Sequence, residues 1–189
     1  MNENTYSPAK WLQYLLYAGI AVALNTILGF LLGDLSRWLG LAISAAAVYL
    51  LFRLVDANER YQKAAIFSIV ALVAGLFTNA LLTLVGSVCS IVAQYQEYHA
   101  HSELIEERDP RLAGKWRTLF WLQFAVGLVL GLLLSFVSVI LVMVSGLETA
   151  AATAVLALVL AVVTLILQVL YLVYLNRTVK LLENEIVVE

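Results

Sequence analysis

The residues best suited to acid–base or metal chemistry in this chain lie together in the segment 97–117. It holds both histidines, His99 and His101, along with Glu97, Glu103, Glu106, Glu107 and Asp109. Side chains four apart are neighbours on a helix, so Glu97 would face His101 and His99 would face Glu103. A carboxylate beside an imidazole can orient it or stabilise its charge. Such pairs on facing helices also hold divalent metals. The spacing of the two histidines works against that use. Two positions apart on one helix, they point to nearly opposite faces and do not readily share an ion. An enzyme at the membrane interface would need His99, His101, Glu103 and Asp109 to converge in a surface pocket. The plainer expectation is an interfacial helix with solvated charges, and with it no catalytic residue, no metal ligand and no cofactor.

A second set of chemistry-bearing residues is uncharged. Asn25, Thr26, Asn79, Thr83, Ser87, Ser90, Gln94, Gln123, Ser135, Ser138, Thr164 and Gln168 all sit within long apolar runs. Ion-coupled carriers and voltage sensors place ionisable groups at membrane depth, and none is expected deep in these runs. Two readings of Asn25, Asn79, Gln94, Gln123 and Gln168 follow. As interhelical hydrogen-bonding groups they only hold helices together. As the lining of one midplane cavity they would mark a small transporter or channel subunit.

Small residues form a third set. Gly29 and Gly33 make one GxxxG, Gly127 and Gly131 another, and Ser135 continues the second. This spacing lets helix backbones approach closely, within one chain or between copies. Packing inside the bundle is the expectation. The single cysteine, Cys89, excludes an intrachain disulfide and a cysteine-based zinc site. No HExxH, P-loop, GxSxG or CxxC occurs, and the sequon Asn176-Arg177-Thr178 reads as chance.

The elements that must position these residues are membrane helices. The chain has 189 residues, of which 63% are hydrophobic and 13% charged. Soluble domains are about 45–50% apolar and about 25% charged. No Asp, Glu, Lys or Arg occurs in 11–33, 64–96, 118–147 or 149–176. Apolar runs of roughly 20 residues read as transmembrane helices. A formal charge of −2, with no basic cluster, gives no sign of a nucleic-acid partner. Met1–Ala9 contains Glu3 and no Lys or Arg, so the basic start of a cleavable signal peptide is missing and none is expected.

Two segments echo each other. Ser7-Pro8-Ala9-Lys10-Trp11 and Asp109-Pro110 through Lys115-Trp116 each offer a capping residue, a proline for the first helical position, then Lys and Trp for the interface. Tyr95 and Tyr98 are matched by Tyr171 and Tyr174. An internal repeat and ordinary interfacial composition both account for these echoes.

The number of spans turns on 64–96. As one tilted helix it gives five spans. Folded at Thr78-Asn79, it gives six spans in three hairpins, at about 11–33, 37–55, 62–77, 80–98, 117–145 and 150–176. The six-span arrangement puts ten of the eleven basic residues on the side of both termini, leaving only Arg37 opposite. Five spans split them four to seven. The excess of Lys and Arg marks the cytoplasmic side, so six spans with both termini cytoplasmic are expected, in a bacterial plasma membrane. The fold expected is a single all-α bundle over residues 1–189. The function expected is non-enzymatic: contact with the lipid bilayer, a membrane-protein partner or a second copy, as in an accessory, immunity-type or envelope-stress factor. A small transporter or channel subunit is the alternative.

Overall fold

The computed structural model describes residues 7–143 and 148–186, and among them there are helices and turns but no strand. Six helices follow in order: α1 Pro8–Leu32, α2 Asp34–Arg53, α3 Arg60–Ala74, α4 Ala80–Ile105, α5 Pro110–Met143 and α6 Glu148–Ile186. The all-α class is therefore as expected. The break expected between the spans 117–145 and 150–176, and the expected absence of a signal peptide, concern segments that fall largely outside the described residues.

Helix ends follow local chemistry. Proline opens α1 and α5, where a missing N–H costs nothing. Asp109 caps α5, its Oδ1 accepting from the Leu112 N–H at 2.9 Å. Ser7 is extended but makes no side-chain cap bond. One residue, Gly33, joins α1 to α2 with φ 53° and ψ −129°, a conformation that a Cβ disfavours. The break expected between the spans 11–33 and 37–55 is thus Gly33 itself, and Asp34 already opens α2.

The run 64–96 is two helices. The chain turns between Ala74 and Ala80, and the Asn79 Oδ1 accepts from the N–H groups of Leu81 at 2.9 Å and Leu82 at 3.3 Å. Removing such a cap costs about 1 kcal/mol. Asn79→Ala is expected to lower the melting temperature in detergent by about 2–4 °C, measured by circular dichroism.

Among the described residues, four stretches are long and apolar enough to cross a membrane: Pro8–Gly29, Asp34–Arg53, Pro110–Leu133 and Leu158–Asn184. α3 and α4 are not among them. α3 has 15 residues, about 22 Å at 1.5 Å each, and α4 turns polar from Gln94 onward. The outer surface suits lipid. Leu81, Phe136 and Trp38 are 73, 70 and 69% exposed, which water tolerates poorly in large patches.

Each helix packs on its neighbour in sequence, and α6 returns to α1. The buried core gathers at one end of this ring. It uses the first turns of α1, α3 and α5 and the later turns of α2, α4 and α6, with Leu12, Leu54, Tyr61, Ile105, Trp116 and Leu175 fully enclosed.

Candidate functional site

The six helices surround a chamber of about 950 Å³ that is partly open to the outer surface, and every helix contributes to its wall. It runs from Thr26 and Thr83, near the α1–α2 and α3–α4 turns, to Glu97 and Tyr171 at the packed end. Ser44 of α2, Ser68 of α3, Gln123 of α5 and Gln168 of α6 add polar groups to its wall. The richest side is α4. Its polar residues Thr83, Ser87, Ser90, Gln94 and Glu97 recur in steps of four and three, which keeps them on one face. Several hydroxyls commit their protons to their own helix. Thr26 donates to the Val22 carbonyl at 2.9 Å, Thr83 to Asn79 at 3.0 Å and Ser87 to Thr83 at 2.9 Å. Their oxygens keep lone pairs that can accept from an occupant.

An aromatic floor closes the packed end. The Tyr171 hydroxyl donates to Glu97 Oε1 at 2.6 Å, and Tyr98 donates to Gln123 Oε1 at 2.6 Å. The two tyrosine rings stack with centroids 5.5 Å apart. Trp116 is fully buried against them, and its ring centroid lies 4.6 Å from that of His101. The Trp116 indole N–H donates to Thr178 Oγ1 at 3.1 Å, and Thr178 donates to the Tyr174 carbonyl at 3.0 Å.

Outside the floor lies a polar collar. Arg60 bonds Glu103 at 2.7 Å and Gln96 at 2.9 Å, while Asn58 donates to Glu103 at 3.0 Å. Arg117 pairs with Glu106 at 2.6 Å. These ion pairs are a third to a half exposed, so each adds only modest stability. Arg53 covers the ring of Trp11 at 4.6 Å.

The histidines part as their spacing requires. His99 Nδ1 lies 3.0 Å from the Tyr95 carbonyl, and its ring rests on Tyr95. His101 turns inward and is fully buried rather than solvated. Its Nδ1 lies 2.8 Å from the Tyr61 hydroxyl. Its Nε2 lies 3.6 Å from Glu97 Oε1 and has no hydrogen-bond partner. Glu103 is held by Arg60 and Asn58, not by His99. Asp109 serves as a helix cap. His99, His101, Glu103 and Asp109 therefore share no pocket, and the described residues hold no group of three His, Cys, Asp or Glu suited to a metal.

Of the five candidate cavity residues, Gln94, Gln123 and Gln168 converge on the chamber. Asn79 caps α4, and Asn25 donates to the Ser36 carbonyl at 3.1 Å across the α1–α2 turn. Among the glycines, a Cβ at Gly29 would meet Ser36 Oγ at 3.1 Å, so Gly29 serves the α1–α2 approach. A Cβ on Gly127 would meet no described atom within 4 Å. Gly127 and Gly131 line a second cleft of about 520 Å³, and the Ser135 side chain lies outside the described residues.

Two residues of consequence escape a reading by motif. Glu97 counts as the edge of a polar island in the sequence, yet it reaches the chamber. The four-three spacing from Thr83 was the available signal. Gly86 belongs to no GxxxG, yet α3 packs directly against it, its would-be Cβ 3.1 Å from the Ala74 Cβ. Comparison with known proteins returned no matching family model, no matching curated protein and no matching solved structure.

Proposed function

We propose that this chain crosses a membrane six times, with both termini cytoplasmic, and acts as a small transporter or channel subunit that admits a polar solute to its central chamber. The observation that carries the reading is the chamber itself: six helices supply its wall, and hydroxyls with three glutamines line it. A helix bundle that only needed to pack would fill this space with apolar side chains. The six crossings are supported by the helix order, by the break before Asn79, and by the basic residues gathered at the end of the termini. Lys63 can snorkel, and local thinning of the bilayer can accommodate the short α3.

Cysteine reactivity tests this reading. In a Cys89→Ala background, single cysteines replace Ser87, Gln94 or Gln168, with Val88→Cys, outward-facing midway along the span, as the lipid-facing control. Thiols react as thiolates, which need water. The chamber cysteines are expected to react with a small water-soluble methanethiosulfonate at least about tenfold faster than the control. Equal, slow reaction at all four sites would overturn the chamber. Reporter tags on the two termini are expected on the same side, and opposite sides would remove the six-span topology.

The second cleft favours a further reading, action by contact. It joins α4, α5 and α6 through Phe124, Gly127, Leu128 and Leu160, and it shares Gln94, Gln123 and Thr164 with the chamber wall. A lipid chain, a partner helix or a second copy would suit its apolar walls.

A further inference from the structure

We propose that Glu97 makes the chamber a binding site for a small protonated amine. This rests on the chamber reading above and adds the charge and class of the occupant. Among the described residues Glu97 is the one carboxylate on the chamber wall, and its side chain is 17% exposed. A carboxylate in such surroundings needs a counter-charge or several donors. Its described contacts are one hydroxyl, that of Tyr171, and the His101 Nε2 at 3.6 Å, beyond hydrogen-bonding distance. The nearby guanidinium of Arg60 is engaged by Glu103 and Gln96. Glu97 thus faces the cavity with acceptor capacity unused. The fully buried and unpartnered Nε2 of His101 marks the same spot as polar and incomplete.

The surroundings favour an ammonium over a metal ion. Divalent cations take several anionic or carbonyl oxygens, and no such group of His, Cys, Asp or Glu exists among the described residues. Tyr98 and Tyr171 line the chamber beside Glu97, and aromatic faces attract organic cations. Gln94, one turn along α4 from Glu97, also lines the chamber, and its side-chain oxygen can accept a further N–H group.

The test uses the full chain in lipid nanodiscs with benzylammonium, its neutral analogue benzyl alcohol, and sodium ion. Benzylammonium is expected to bind by calorimetry, and Glu97→Gln, which keeps an acceptor for Tyr171, is expected to weaken it about tenfold or more. Benzyl alcohol is expected to show no such dependence. A parallel measurement needs no variant. A hydrophobic carbodiimide is expected to modify Glu97 in the native chain, and benzylammonium to slow that reaction at least about tenfold by mass spectrometry. Equal binding to native chain and variant, protection by sodium or benzyl alcohol alone, or no protection would each overturn the amine assignment. Such a failure with reactive chamber cysteines leaves the chamber standing, whereas unreactive cysteines would remove both.

Discussion

Trp116→Ala is expected to lower stability by about 3–5 kcal/mol, the largest loss of any single substitution considered. Trp116 is fully enclosed and touches the rings of Tyr98, His101, Tyr171 and Tyr174, so it ties α4, α5 and α6 together beneath the chamber. Alanine leaves a cavity that no neighbour can fill without giving up its own contacts. It also removes the indole donor to Thr178, though Thr178 keeps its bond to Tyr174. For a chain of this length the loss corresponds to a fall in melting temperature of about 10 °C or more. Trp116→Phe separates the two contributions. It keeps most of the ring contact, loses the hydrogen bond, and is expected to cost about 1 kcal/mol plus a small packing term. Thermal unfolding of both variants in the same detergent provides the check. A Trp116→Ala protein as stable as the native chain would show that the floor is not the core of the bundle.

The second large effect is expected at Gly86. A Cβ there would sit 3.1 Å from the Ala74 Cβ and 3.4 Å from the Ala71 carbonyl. Neither neighbour is a flexible side chain that can rotate away. Gly86→Leu therefore has to push α3 from α4, at a cost of about 1–3 kcal/mol or more. Gly127→Leu is the informative contrast. Its Cβ would meet no described atom, and leucine favours a helix over glycine by up to about 1 kcal/mol. The melting temperature is expected to fall by several degrees for Gly86→Leu and to hold or rise for Gly127→Leu. Equal losses at the two positions would contradict the assignment of the α3–α4 contact to Gly86.

These two residues show what a linear reading reaches. Features set by near neighbours were legible. The apolar runs announce helices, four of them long and apolar enough to cross a membrane among the described residues, Asp109 caps α5, the run 64–96 breaks before Asn79, and His99 and His101 part because they are two apart. Features set by distant segments were not. Gly86 matters because Ala74 lies opposite, and no motif joins them. Gln94, Gln123 and Gln168 meet while Asn25 and Asn79 serve turns, a sorting that depends on how each helix is rotated in the ring. Glu97 opens the charged segment 97–117, yet α4 continues past the apolar run to Ile105. Its first polar turn is therefore still inside the bundle.

The gathering of the core at one end has a mechanical consequence. Free energies of local opening follow buried contact, so this bundle behaves as a stiff base carrying a compliant rim. Helix ends beside Gly33 and Asn79 can loosen while the turns around Trp116 hold. Motions that widen or narrow the mouth then leave the geometry around Glu97 undisturbed. On the proposed reading, recognition at Glu97 and entry at the rim would be mechanically uncoupled, each open to retuning by substitutions at its own end of the same six helices.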